Sequence, residues 1–438
     1  MMRTRSVLFP TVWVFLLAGQ IGQIGQARAE DANSALHLDL PTAVTRALQE
    51  NPDVQAKRHA LGLAKGRVQQ AGLLFQTNPL VSIEADYRNR RFRESTGRST
   101  TDATVLLLQE VEIAGQRGHR RQAAATHLVY AERVITNAER LLQREVMRAF
   151  YELLAAQERI QAQQRILQTR ETLLHAGTER YAEEDISVLE FDTLQLDTDQ
   201  ARTRLLSRKQ EHVLAEKQLL LLLGPGVGKS LVAVGDLFSI PAQYSVPEPL
   251  PSREELLDCA LEHRPDYQAA RLKVTTREAE LDLARANRIP NISLGPMYKF
   301  DDEDQVVGGA LTIPLPLFNR NAHAITAALA NVEVARRELQ AQTLAVQHEV
   351  AAASERLRLA LQQRAVYGKN YRDKLAQSEH FTQQAYEAGE VSIFEFSVAL
   401  ERLTQARSRD LDAALSALQA SAELAAQLAF RCLDTVHK

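Results

Sequence analysis

The chain has 438 residues, with 52 Lys+Arg against 55 Asp+Glu, and its formal charge of −3 lacks the basic excess of a nucleic-acid binder. Apolar residues make up 45% and charged residues 24%, which excludes a generally disordered chain, and two cysteines exclude a disulfide scaffold or a Cys-rich metal site. Aromatics are only 5%, and Ala, Leu, Gln, Glu and Arg dominate, a composition for long packed helices rather than a compact globule.

Residues 1–29 read as a secretory signal peptide. Arg3 and Arg5 form its basic start, Val7 to Ala18 its apolar run, and Ala27-Arg28-Ala29 a small-x-small cleavage site. Cleavage after Ala29 takes the formal charge to −6, and no Cys near the site invites lipidation. No later run reaches the roughly 18 apolar residues of a membrane-spanning helix. An exported soluble protein or a β-barrel remains.

The rest of the chain is written twice, as residues 30–223 and 252–430, with a Gly/Pro-rich connector at 224–251 and a tail at 431–438. Ala47-Leu48-Gln49-Glu50-Asn51-Pro52-Asp53 recurs as Ala260-Leu261-Glu262-His263-Arg264-Pro265-Asp266. Tyr181 to Ser187, followed by Glu190-Phe191, recurs as Tyr386 to Ser392, followed by Glu395-Phe396. Heptads repeat too: Leu128, Ile135, Leu142, Ala149 and Ala156 have counterparts in Val332, Leu339, Val346, Ala353 and Ala360, which argues coiled-coil packing.

In the first copy, Pro41–Gln49 predicts a short helix, and Pro52 opens a second running to about Gln76. A β-hairpin over 79–113 follows, with Val81, Ile83, Ala85 and Tyr87 alternating with polar residues and an Arg-rich tip at 89–100. A long helix is expected from Gln116 to Gly177, a break at 178–187, and a last helix over 188–223 ending at Gly224-Pro225. The second copy predicts a helix over 265–288, a hairpin over 291–316 with Ile292, Leu294, Pro296, Tyr298 and Phe300 alternating, and helices over 322–387 and 392–430. At about 1.5 Å per residue the long helices span roughly 95–99 Å, matched in each copy by two shorter helices end to end. That arithmetic suits the wall of a tube. The strands have the 9–11 residues of tilted membrane strands, yet one chain supplies only four, so chains must assemble to close a barrel.

With these features the chain resembles the TolC-type outer-membrane efflux proteins over about residues 36–430. The doubled Ala-Leu-x-x-Asn/Arg-Pro-Asp, the doubled Tyr-to-Ser turn and the duplicated hairpin carry the resemblance. Gln109-Glu110-Val111-Glu112-Ile113-Ala114-Gly115-Gln116-Arg117-Gly118, followed by Arg120-Arg121, looks like the heavy-metal cation efflux branch, the CzcC-like ducts. The resemblance implies a mainly α fold with a small β part: antiparallel coiled-coil helices forming a tunnel, and two β-hairpins per chain giving four strands to a trimeric, twelve-stranded outer-membrane barrel. It implies a homotrimer spanning outer-membrane lipid, and no enzyme. Its partners would be a periplasmic adaptor (membrane fusion) protein and an inner-membrane transporter of RND type. Adaptor docking would fall on the turns holding Tyr181, Ser187, Tyr386, Gly389 and Ser392. Glu190 and Glu395, just past those turns, would form a cation-favouring gate, unless they are ordinary helix-surface carboxylates. The turn glycine Gly389 is Glu184 in the first copy, a departure from the pattern. The alternative expectation is an exported structural coiled-coil protein that never enters the membrane.

Other features point to no cofactor, metal or catalytic set. Gly224-Pro225-Gly226-Val227-Gly228-Lys229-Ser230 resembles a phosphate loop but has Leu223 where the first glycine belongs, and reads as a helix end. The eleven His show no ligand spacing. Asp301 to Asp304 is an acidic hairpin tip that either holds Ca²⁺ or is simply solvated. Arg117 and Arg320 lie where strand becomes helix and either meet lipid phosphate or bridge helices. Cys259 and Cys432 fall near the connector level, where an oxidising compartment permits a disulfide.

Overall fold

The computed structural model describes residues 36–88, 100–225, 230–239, 250–301 and 304–430. The expected signal peptide, both hairpin tips and Cys432 therefore lie outside the described residues, apart from Thr100, Asp301 and Asp304. The elements in chain order are β1 (Leu36–Leu38), α1 (Leu40–Glu50), α2 (Pro52–Gly72), β2 (Leu80–Arg88), β3 (Thr100–Val111), α3 (Gln116–Ala182), α4 (Val188–Leu223) and β4 (Leu231–Ala233). They continue with α5 (Arg253–His263), α6 (Pro265–Ala286), β5 (Ile292–Asp301), β6 (Asp304–Thr312), α7 (Ala322–Val366), α8 (Lys369–Glu387) and α9 (Ile393–Gln427). The chain packs as two compact units, each drawn from three stretches of sequence.

One unit takes residues up to Asn51, Leu142–Ile240 and Ala360–Gln419. Its helices start and stop where side-chain chemistry dictates. Asp39 accepts the Thr42 N–H at 3.0 Å to cap α1, and Ser187 and Glu190 form a capping box on α4. Gly224 ends α4 at φ 82, where an added Cβ would meet the Glu50 carbonyl oxygen at 2.5 Å, so no larger residue fits. The Asn51 side chain donates to the Leu222 carbonyl at 3.0 Å, tying the end of α1 to that of α4. Val146, Leu153, Ala149 and Ala156 of α3 are buried, as a heptad seam requires. β1 and β4 pair in parallel, Leu36 opposite Leu231, a two-stranded sheet absent from the sequence expectation.

Two helix boundaries depart from expectation here. α3 runs on to Ala182, so the first break is shorter than 178–187. The single helix expected over 322–387 is two, α7 and α8, parted at Tyr367-Gly368. Gly368, a poor helix former, takes an extended ψ of −177° and serves as the N-cap of α8. Tyr367 and Tyr371 pack edge to face across the break at 5.0 Å. Phe238 covers it: Arg364 donates to its carbonyl, and the Arg372 guanidinium lies 4.3 Å from its ring centre.

The other unit takes Pro52–Leu141, Pro241–Leu359 and the chain from Ala420. Pro52 and Pro265 open α2 and α6, where a missing N–H costs nothing. α2 stops at Gly72, short of Gln76, and α6 at Ala286. Ser252 and Glu255 cap α5 reciprocally. β2, β3, β5 and β6 form one antiparallel sheet in that order, so the two hairpins lie side by side. At its base Gln116, 1% exposed, accepts the Ala114 N–H at 2.7 Å and donates to the Ile289 carbonyl at 2.9 Å.

Candidate functional site

The register of the sheet sorts its side chains. Val81 lies opposite Leu107, Ile83 opposite Val105 and Ala85 opposite Ala103. Val105 continues to Tyr298, Tyr298 to Val307, and Leu294 pairs with Leu311. Directly opposed residues share a face, so these form one apolar surface over all four strands. Most of it is exposed: Ile83 at 72%, Tyr87 at 69%, Val307 at 80%. The other face is mixed: it carries Ser82, Glu84, Asp86, Thr104, Ser293, Lys299 and Thr312, and also Leu80, Leu106, Leu108, Met297 and Val306. One row on it is acidic throughout. Asp86 pairs with Asp102, Asp301 with Asp304, and Asp102 and Asp301 follow directly on the paired Ala103 and Phe300. Lys299 donates to Asp301 at 2.9 Å. At Gly295 a Cβ would strike the Leu107 carbonyl oxygen at 1.7 Å, so the β3–β5 pairing needs glycine there.

The doubled turns sit in the first unit. After α3 the Glu184 N–H reaches the Tyr181 carbonyl at 3.1 Å and the Asp185 N–H the Arg180 carbonyl at 2.8 Å. After α8 Gly389 bonds to Tyr386 at 3.0 Å and Glu390 to Ala385 at 2.9 Å. Both are Schellman motifs, with Glu184 at φ 63 and Gly389 at φ 77 in the left-handed region. The turn thus keeps its backbone although the glycine is missing from the first copy. Tyr181 stacks on Phe191 at 4.9 Å, and Tyr386 packs on Phe396 at 4.7 Å. Leu173, Leu194, Ile393 and Phe396 form a buried cluster behind the turns.

Ser187 and Ser392 begin the helices after the turns, each bonded reciprocally to the glutamate three residues on. Glu190 is half-buried and Glu395 exposed, and each accepts its serine's backbone N–H at 2.8 Å. Those backbone bonds, with the serine hydroxyls, hold both carboxyls below the ordinary glutamate range. Within one chain they are charged helix caps.

Two buried networks went unforeseen. Arg170 of α3 donates to Asp197 of α4 at 2.9 Å and also to the Ser397 hydroxyl of α9, whose own hydroxyl donates to Asp197. In the second unit Arg264, 1% exposed, donates to Asp266, Glu349 and Gln427, while Arg140 shares Asp266 at 3.1 Å. Burial alone would raise Asp266; the hydrogen bond from Arg264 and both guanidinium charges outweigh it and lower its pKa. The Arg-Pro-Asp spelling was visible in the sequence, but its partners come from α3, α7 and α9. Arg117 donates to the Gly72 carbonyl at 3.0 Å and so bridges helices. The Gln109–Arg121 segment is a strand-to-helix joint: Asn291 and Thr77 both donate to Glu110, and Arg120 pairs with Glu112. The near phosphate loop follows a helix and not a strand; its residues 226–229 lie outside the described chain. Among the described residues no His, Cys, Asp or Glu group is arranged to hold a metal, and no helix is long and apolar enough to cross a membrane.

A sheet with one broad exposed apolar face and an opposite face of mixed polarity ending in an acidic row fits a transmembrane β wall, the wall of a channel-type membrane protein. The chain is a member of the outer membrane efflux protein family, whose model matches residues 43–225 and 256–429. It is 24% identical over 378 residues to the cobalt-zinc-cadmium resistance protein CzcC of Cupriavidus metallidurans, covering 85% of this chain and 86% of that one. The crystal structure of CusC matches with a TM-score of 0.70 at 18% identity, over 89% of this chain and 91% of that one. The Campylobacter jejuni CmeC outer membrane channel matches at 0.68 and 14%, over 89% and 85%. The TolC-type fold is therefore that of this chain. Family membership also replaces the alternative of a coiled-coil protein with no place in the membrane.

Proposed function

We propose that the protein is the exit duct of a tripartite efflux system, conducting metal cations passively across the outer membrane. The observation that carries this is the two-faced sheet with its open edges. β2 and β6 pair with one neighbour each. Open edges cannot face lipid, so several chains must close the wall together, and three would give a barrel of about twelve strands. The apolar face then meets acyl chains, and the Asp86, Asp102, Asp301 and Asp304 row repeats around the lumen, attracting cations and repelling anions. The similarity to a cobalt-zinc-cadmium resistance protein supports metal ions as cargo. In this reading the helices stand in the periplasm after removal of residues 1–29. A periplasmic adaptor engages the turns at Tyr181–Ser187 and Tyr386–Ser392, and an RND-type inner-membrane pump supplies the energy. Glu190 and Glu395 narrow the entrance. Opening would separate α3 and α4 from α9 at the Arg170, Asp197 and Ser397 network.

Planar-bilayer recording of the mature protein tests this. Cation-selective conductance is expected, falling towards non-selective when the four aspartates are changed to Asn. Glu190→Gln with Glu395→Gln should change conductance or selectivity at the entrance. A protein that inserts and conducts with no charge preference, unaltered by any of these changes, would remove the cation-duct reading.

A further inference from the structure

On their helical side the strands end in a pocket of about 620 Å³ in the second unit, lined by Ile289, Ile292, Ile313, Leu315, Arg288 and Arg320 among others. Ile292 and Ile313 lie two residues beyond the Leu294–Leu311 pair, so the pocket wall continues the apolar face of the sheet. The segment after β6 stays apolar and exposed, with Leu315 at 72% and Phe318 fully in solvent. An exposed apolar patch of this extent marks an interaction surface. Its chemistry is not uniform, because two guanidinium groups border it. Arg288 follows the end of α6, and Arg320 precedes α7 with its Nε donating to the Pro316 carbonyl at 3.3 Å. That bond fixes the Arg320 side chain and leaves its two terminal nitrogens unused. Neither arginine forms an ion pair with a described carboxylate.

We propose that this pocket binds a glycerophospholipid, with its phosphate on Arg288 and Arg320 and its acyl chains along Ile292, Ile313 and Leu315. The guanidinium fork matches phosphate oxygens, and an apolar wall beside a cationic rim is the pattern of an acyl chain joined to a charged head. A free phosphate or a soluble anion would leave the apolar wall unused. The inference rests on the membrane reading above and deepens it, assigning one lipid molecule a fixed place at the foot of the wall.

The test uses the mature full-length protein, exchanged from nanodiscs into mild detergent and titrated with phosphatidylglycerol under native mass spectrometry. Diacylglycerol, which lacks the phosphate, is the control. Phosphatidylglycerol should stay bound and diacylglycerol should not. Arg288→Gln and Arg320→Gln should each weaken retention about fivefold, and the pair about 25-fold, since each interfacial arginine is worth roughly that factor. Lysine at both positions should restore only part of the binding, since it keeps the charge but not the fork. Equal retention of diacylglycerol, or unchanged affinity in the double Gln variant, overturns the proposal. A protein that conducts but holds no phosphatidylglycerol overturns this inference alone, whereas one that never enters bilayers overturns the duct reading as well.

Discussion

The two copies of the Pro-Asp junction share a backbone and differ in what their side chains do with it. Asn51 and Arg264 occupy the same place, at φ −64, ψ 124 and φ −66, ψ 122, and each donates its N–H to the alanine carbonyl four residues back at 2.9 Å. In the first copy the side chain is a neutral amide that donates to the Leu222 carbonyl, and Asp53 beside it is exposed. In the second it is a buried guanidinium gripping Asp266, which a second arginine also holds. The repeated spelling specifies the break between consecutive helices; the residue before the proline decides whether the joint is neutral or charged. Burying charge gains little by itself, but each member of such a group becomes costly to remove.

The sharpest way to break that comparison is to neutralise both aspartates. Asp266→Asn leaves Arg264 and Arg140 partly uncompensated and should cost about 3–5 kcal/mol, whereas Asp53→Asn at the exposed site should stay within about 0.5 kcal/mol. Denaturant unfolding of the two variants measures both, and equal losses would show that burial does not separate the joints. A smaller effect tests the doubled turn. Glu184→Gly should stabilise by about 1 kcal/mol by relieving a left-handed non-glycine residue, and Gly389→Ala should lose about as much. Local hydrogen exchange at residues 178–191 and 384–396 would read it, and no change at Glu184 would mean that its side chain offsets the backbone cost. The smallest effect is in pH. Because the folded Asp266 pKa lies below its ordinary 3.8, its contribution is complete above that value and is lost as pH falls through the lower folded value. The acid limb of the stability curve should therefore be shallower in Asp266→Asn.

Most elements were legible because their signals are local. Pro52, Pro265 and Gly224 mark helix ends that the structure reproduces, whereas the serine–glutamate caps at Ser187 and Ser252, and the helix that Ser252 opens, had no part in the expectation. The break at Gly368 was passed over because a single glycine in a periodic run looks tolerable, and what fixes it is Phe238, far away in sequence. β1 and β4 have three residues each, too few for any alternation to show. The apolar face of β2 was readable from Val81, Ile83 and Tyr87 alone. The acidic row was not, since Asp102 and Asp301 come level only because Ala103 pairs with Phe300, in two hairpins from different halves of the chain. Glu190 and Glu395 were found by their repeat, but their service as caps depends on hydrogen bonds that residue spacing only hints at.

The side-by-side order of the two hairpins has a genetic consequence. In the proposed assembly each protomer supplies one unbroken arc of the wall, so every ring carries a junction between β6 of one copy and β2 of the next. A variant that folds normally but cannot pair at one of those edges would still enter rings and spoil them. Such alleles should be dominant over the wild type when both are expressed, whereas an allele whose product never folds should be recessive.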